Sequence, residues 1–180
     1  MGLSGVLDEK RVTEAERNVR QYMQDGLLKR HSFSRLRLDT FMRNHRESLS
    51  VADHIRQHDL SNLWVVVASY YSMFYIANAV LCAKGYRVGH RVAHKVTADT
   101  IITHLRDELN HTLISHYEME SSQALSLTDS LLSGYDSERI KRSAFQYEST
   151  EDVKSKKATT SLTRAKAFSF EVERVLKRLL

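Results

Sequence analysis

Apolar side chains recur along most of this chain at the three- and four-residue spacing that places them on one face of an α-helix. The first segment shows this spacing at Val12, Ala15, Val19, Tyr22 and Met23. Thr13 followed by Glu16 has the pattern of a capping box, in which two side chains satisfy the first backbone N–H groups of a helix. We therefore predict a first helix over about residues 7–30, weakened near Gly26 because glycine disfavours helix.

The same spacing continues through the rest of the chain. It predicts further helices over about residues 39–58, 63–83, 91–110, 118–147 and 149–180. Asp39 is a suitable N-cap, and residues 31–38 before it break the spacing, as a connector does. Asn110 indicates a stop or bend after the fourth of these helices. Gly85 is placed to end the helix before it.

The segment from Leu63 to Ala83 contains no charged residue and is long enough to cross a membrane. Its middle, however, carries serines, tyrosines and an asparagine, where a membrane span usually has leucine and isoleucine. Apolar residues lie nearly all round this helix, which is typical of the central helix of a soluble bundle. We favour the soluble bundle over the membrane span.

Composition narrows the class of protein. The 180 residues include no proline and only six glycines, which argues against collagen-like, proline-rich and turn-dense all-β folds. The single cysteine, Cys82, cannot form an internal disulfide, and we expect it to pack rather than react. His54 and His58, like His90 and His94, are four residues apart, but no third ligand follows by spacing, so we expect no metal.

Positive charge exceeds negative charge, with 27 lysines and arginines against 22 acidic residues and hence a formal net charge of +5. The densest basic run surrounds the predicted connector and comprises Lys29, Arg30, Arg35, Arg37, Arg43 and Arg46. Such a run is either a solvated surface or a strip that contacts the phosphates of RNA. We favour the solvated surface and keep the phosphate strip as the alternative.

The candidate chemistry lies at Arg106, Asp107 and His111. An imidazole can exchange protons with the 2′-hydroxyl or the leaving oxygen of RNA, while a guanidinium holds the phosphate as its charge grows. On a regular helix residues 106 and 111 point in different directions, so they converge only if the helix stops between them, as Asn110 permits. The alternative is that these are surface charges and a turn residue.

Two stretches of the sequence resemble the HEPN domain family. The first, SYYSMFYIANAVLCAKGYRVGHRVAHK at residues 69–95, is similar to the family's Tyr-Tyr-x-Met-Phe helix, Lys-Gly turn and following histidine. The second, RIKRSAFQYEST at residues 139–150 with AKAFSFEVERVL after it, resembles the later Arg-x-x-Arg…Tyr segment and the closing helix. The resemblance covers residues 39–180, so residues 1–38 are predicted to be an added helix and connector.

This resemblance implies an all-α, up-and-down bundle of four to five helices, to which the N-terminal helix is an addition. Family members are usually dimeric, occur in toxin–antitoxin and defence systems, and often accompany a minimal nucleotidyltransferase. Many are metal-independent ribonucleases with an Arg-x4–6-His motif, which the chain matches at Arg106, Asp107 and His111. At the later position it has Arg142 with Tyr147 where a histidine would stand.

The leading interpretation is therefore a dimeric, cytoplasmic module that binds RNA or a nucleotide through Arg139, Arg142 and Tyr147, with a degenerate nuclease site. One alternative is an active endoribonuclease that needs neither metal nor cofactor. Another is a structural assembly subunit whose C-terminal helix packs on a second copy through Phe168 and Val172. None of the three requires a membrane.

Overall fold

The computed structural model describes the backbone of residues 7–138 and 151–180, and the side chains of residues 7–129 and 155–180. Six helices and one two-stranded ribbon follow in chain order: α1 Glu9–Gln24, β1 Leu28–Arg30, α2 Arg35–Gln57, α3 Asn62–Ala83, β2 Tyr86–Val88, α4 Ala93–Leu105, α5 His111–Glu138 and α6 Glu151–Leu179. This arrangement confirms the predicted all-α bundle.

The start and end of α1 differ from the prediction. Asp8 is the N-cap and accepts a hydrogen bond from the backbone N–H of Lys10 at 3.1 Å. The Thr13 hydroxyl instead donates to the carbonyl of Glu9, so the predicted capping box is wrong. The helix ends at Gln24 rather than near residue 30, because Gly26 takes a left-handed conformation with φ 70°.

The predicted end of the first helix is a β-strand. β1 pairs antiparallel with β2, with Lys29 directly opposite Arg87. Between α3 and β2, Gly85 has φ 79°, and a Cβ atom there would lie 3.3 Å from the carbonyl oxygen of His31. A strand of three residues is too short to show an alternating pattern, so the sequence did not reveal it.

The second helix begins earlier than predicted. Ser34 is its N-cap, so residues 35–38 belong to α2 rather than to the connector. Asp39, the predicted cap, lies in the first turns and pairs with Arg35 at 3.0 Å. The fourth helix ends at Leu105, five residues before the predicted stop, and Asn110 ends the turn that follows. The side chain of Asn110 accepts from the N–H of Thr112, and α5 begins seven residues earlier than expected.

The uncharged helix α3 forms the centre of the bundle and packs against α2, α5 and α6. In the part of the chain that the structure describes, it is the one helix long and apolar enough to cross a membrane. Of its most hydropathic window, 78% is buried inside the bundle, which is the environment of a core helix in a soluble protein. Cys82 is buried there, as expected of a packing residue.

The last helix closes the core. Phe168 and Val172 are both fully buried in this single chain. Neither side chain is therefore part of the surface of the single chain, and assembly through the C-terminal helix stays a prediction. On the same helix, Phe170 is 63% exposed.

Hydrogen bonds to a buried carboxylate of α4 hold α1 against the rest of the bundle. The carboxylate of Asp99 in α4 is fully buried and accepts hydrogen bonds from Arg11 at 2.6 Å, Asn18 at 3.0 Å and Tyr22 at 2.7 Å. Three donors satisfy a carboxylate that would otherwise be costly to bury. The boundary at residue 38 between an extension and the main bundle stays a prediction.

Candidate phosphate-binding site

The chain reverses direction at the three residues that the motif singles out. Arg106 is the C-cap of α4 and pairs with Glu16 of α1 at 2.6 Å. The side chain of Asp107 is 92% exposed, and His111 is the first residue of α5. The contacts found among the described side chains do not join His111 to Arg106 or Asp107.

The second predicted set, Arg139, Arg142 and Tyr147, lies outside the described residues. Its part in binding RNA or a nucleotide stays a prediction. Arg106 also belongs to a neighbouring cluster, because its positive charge acts on another histidine, His104, two residues earlier in the chain.

The short ribbon carries unbalanced positive charge. Lys29 and Arg87 are directly opposite each other on β1 and β2, and both are exposed. Like charges at directly opposite positions destabilise a strand pair. Among the described residues, no carboxylate lies within ion-pair distance of either side chain. An anion bound beside the ribbon would relieve this repulsion.

On the other face of the ribbon, aromatic contacts order the side chains around Tyr86. The guanidinium of Arg30 lies 4.0 Å from the ring centre of Tyr86. The imidazole of His104 stacks on the same tyrosine, with 4.5 Å between ring centres and 18° between ring planes. Such contacts fix the orientation of a long, otherwise mobile arginine and of the imidazole.

His104 is held in an environment that opposes its protonation. Burial lowers the pKa of His104, and the positive charges of Arg30, Lys84 and Arg106 lower it further. Its Nε2 atom is buried without a hydrogen-bond partner among the described residues. An unsatisfied buried polar atom costs about 1–3 kcal/mol. The imidazole thus lies near three cations, and one of its own nitrogens is unused.

We call Arg30, Lys84, Tyr86, His104 and Arg106 the His104 cluster. Two carboxylates lie within it: Glu16 pairs with Arg106, and Glu108 pairs with Lys84. Its three cations stand against these two carboxylates, which leaves 3 − 2 = +1, and Lys29 and Arg87 add positive charge on the opposite face of the ribbon. The excess is the chemical basis for holding an anion.

Part of this site was predicted from the sequence. The basic run contained Lys29 and Arg30, but of its other members Arg35 pairs with Asp39 and Arg46 lines a different groove. Lys84 and His104 lie far from Arg30 in the sequence, and only the folded chain brings them near it.

Two other polar sites have most of their groups satisfied. Tyr70 bonds to His94 at 2.6 Å and accepts from Ser121 at 2.9 Å, and its burial raises the pKa of its phenol to about 12. Glu120 is buried and bonded by Ser161 and Arg164. Both networks join helices, and we assign them a structural role.

A groove of about 470 Å³ opens between α2 and α6 at His45. The Nδ1 atom of His45 lies 3.1 Å from the carbonyl of Ser72, and its Nε2 lies 4.0 Å from Glu173. Burial lowers the pKa of this histidine. The lining mixes both signs of charge, since Asp53 and Glu173 stand beside Arg46, so the groove has no clear preference for an anion.

The histidines spaced four residues apart, which resembled metal ligands in the sequence, make other contacts. The ring centres of His54 and His58 lie 4.2 Å apart with the rings tilted by 35°, and His58 Nδ1 lies 2.9 Å from the carbonyl of His54. In residues 7–129 and 155–180, no group of three or more His, Cys, Asp and Glu side chains is placed to hold a metal ion.

Fold and site together describe an all-α bundle that carries a basic ribbon and a half-buried histidine close to it. No family model, curated protein or solved structure matches the chain.

Proposed function

We propose that this protein is a binding module for RNA or a nucleotide, and that the basic ribbon, with the His104 cluster on its other face, binds phosphate. The observation that carries the proposal is the repelling pair Lys29 and Arg87 on the exposed face of the ribbon. The cations around His104, whose Nε2 is unused, add positive charge on the opposite face. A phosphate supplies the negative charge and the acceptor oxygens that both features lack.

The resemblance to the HEPN family adds the biological setting to this proposal. We propose a cytoplasmic homodimer of the toxin–antitoxin or defence type, with a minimal nucleotidyltransferase as partner. Arg139, Arg142 and Tyr147 would extend the contact surface of the module.

Binding is tested by titrating fluorescently labelled single-stranded RNA at two salt concentrations. We expect Arg87→Glu to weaken binding at least tenfold, while Arg174→Glu, which reverses an exposed arginine on α6, leaves it unchanged. Affinity should fall steeply between about 50 and about 200 mM salt, because phosphate contacts release counterions. Equal effects of the two charge reversals, or no binding at the lower salt, would refute the proposal.

A second candidate function, metal-independent RNA cleavage, is favoured by one observation: Arg106 lies close enough to His104 for its positive charge to lower the pKa of the imidazole. These are the groups that such cleavage needs, besides the predicted His111. The test is RNA cleavage in EDTA by the wild type, His104→Ala and His111→Ala, with identification of the product ends. A 2′,3′-cyclic phosphate product lost in one variant would locate the base, and uncut RNA would exclude this function.

A further inference from the structure

The hairpin formed by α2 and α3 has an uncharged face that is open in the single chain. Two stripes of side chains make up this face, each at the alternating three- and four-residue spacing of helices that pack on other helices. The α2 stripe comprises Phe41, Asn44, Ser48, Val51 and Ile55, and the α3 stripe comprises Trp64, Ala68, Tyr71 and Tyr75. We call the two stripes together the hairpin face.

The hairpin face is accessible although both helices bury their other sides in the core. Val51 is 49% exposed and Trp64 is 52% exposed, and the remaining side chains of the two stripes are half-buried. The helix α6 lies on another side of α2, where Asp53 pairs with Lys166 at 2.6 Å. Successive residues of a helix turn by about 100°, so Val51 points about 160° away from Asp53. The hairpin face is therefore not the surface that α6 covers.

The absence of charge indicates which partner the hairpin face fits. Neither stripe contains an acidic or basic residue, although the chain has a formal net charge of +5. The phosphates of RNA would find no cation within the two stripes. A second copy of the same face, in contrast, brings no like charges together and removes both apolar stripes from water.

The two stripes also share one centre, which is what a contact between identical faces needs. Ser48 is the midpoint of the α2 stripe, and the midpoint of the α3 stripe lies between residues 69 and 70. A hydrogen bond of 2.9 Å between His45 and Ser72 fixes the register of these two antiparallel helices. Both midpoints lie about 4 Å from this bond in the same direction, since a helix rises about 1.5 Å per residue. One two-fold axis through both midpoints therefore maps each stripe onto itself.

We propose that two copies of this chain pair through the hairpin face, with α3 antiparallel to α3 and α2 antiparallel to α2 of the second copy. The axis brings Trp64 opposite Tyr75 and the small Ala68 opposite Tyr71, so aromatic rings meet rings or fill the space beside a methyl group. Ser48 lies next to its own copy on the axis. This inference rests on the homodimer of the proposed function and names its interface.

The oligomeric state of the full chain tests this interface. Light scattering after size-exclusion chromatography should give twice the mass of one chain for the wild type. Val51→Glu places a carboxylate in the interface and should weaken dimerisation at least about tenfold. Phe170→Glu is the matched control, because Phe170 is an exposed apolar residue of α6 outside the hairpin face, and it should leave the dimer intact.

Cross-linking gives a readout that keeps the hairpin face uncharged. A short thiol-specific cross-linker should join two copies of Ser48→Cys, because residue 48 lies on the axis. Ser50→Cys, an exposed position that lines the groove at His45, should stay unlinked. The native Cys82 is buried and should not react. Equal linking of the two variants would contradict the assigned axis.

The single tryptophan of the chain, Trp64, lies in the hairpin face and reports on it directly. At one protein concentration, the wild type should emit at shorter wavelength than Val51→Glu, because the dimer shields the indole from water. Emission that instead responds to single-stranded RNA, with no change in mass, would identify a base-stacking surface and overturn the inference. A dimer that is equally stable in Val51→Glu would overturn this interface but keep the homodimer, whereas a monomeric wild type would overturn both.

Discussion

Single residues with buried charge determine how the helices of this protein fit together. Asp99 is the clearest case, since one carboxylate receives three side-chain donors from α1. Without the carboxylate, the donor groups of Arg11, Asn18 and Tyr22 would meet an apolar cavity. The cost of such a change is the loss of solvation for several groups at once.

We predict that Asp99→Ala lowers the free energy of unfolding by about 3 kcal/mol, because Asn18 and Tyr22 lose their acceptor and Arg11 loses one of its carboxylate partners, while its pairing with Glu118 remains. Chemical denaturation followed by circular dichroism measures the change. Asp107→Ala is the matched control, because the Asp107 side chain is 92% exposed, and it should leave the midpoint unchanged. Equal midpoints for both variants would show that the Asp99 network does not stabilise the fold.

At the same scale, the hydroxyl of Tyr70 joins two helices to α3. We predict that Tyr70→Phe destabilises the protein by about 1–2 kcal/mol, because the buried Ser121 and His94 lose their shared partner. The comparison is Tyr75→Phe, for which no described hydrogen bond to the hydroxyl would be lost. Thermal unfolding of the two variants checks the difference, and a larger loss in Tyr75→Phe would contradict it.

Among the elements, the turn between α4 and α5 has the most evident sequence cause. Asn110 ends one segment and caps the next, with its side-chain oxygen 2.8 Å from the N–H of Thr112. The chain therefore reverses direction between Arg106 and His111. The motif requires such a break, because the two side chains point in different directions on a continuous helix. The ribbon is the element that sequence reasoning missed, although its residues Lys29 and Arg30 had been noted as basic.

We predict that Asn110→Ala lowers the free energy of unfolding by about 1 kcal/mol, because the N–H of Thr112 loses its cap. Asn110→Asp keeps the acceptor and should retain most of the stability. Urea denaturation of the two variants distinguishes them. If aspartate were as destabilising as alanine, capping would not be the role of this side chain.

The chain contains nine histidines, and folding lowers the pKa of four of them, which favours their neutral form. Burial is the leading cause that lowers the pKa of His45, His94, His104 and His116. In the unfolded chain these side chains return to an ordinary pKa of about 6.5. Below that value the unfolded state binds more protons than the folded state, so acid favours unfolding.

We therefore predict that the urea midpoint falls as the pH decreases from about 7 to about 5.5, before most carboxylates titrate. His45→Gln, a change in the least exposed of these histidines, should reduce the slope even if it lowers the midpoint at neutral pH. A midpoint that is constant or rises over this range would contradict the assignment of neutral histidines.

The sequence alone determined the class of fold. Apolar positions at helical spacing, the absence of proline and the uncharged stretch of α3 predicted a helical bundle with a buried central helix, because these properties are local and repeat over many residues. Asn110 and Gly85 also acted as predicted, since capping and left-handed turns depend on the residue itself.

Only the tertiary structure decided where helices begin and how the site is assembled. Asp8 and Ser34, not Thr13 and Asp39, cap α1 and α2, because several residues in each segment could serve and the packing selects one. The His104 cluster joins side chains from β1, the turn after α3, and the end of α4, whose proximity depends on a ribbon of three residues per strand. Such short pairing has no periodicity of its own, so contacts far apart in sequence create the site.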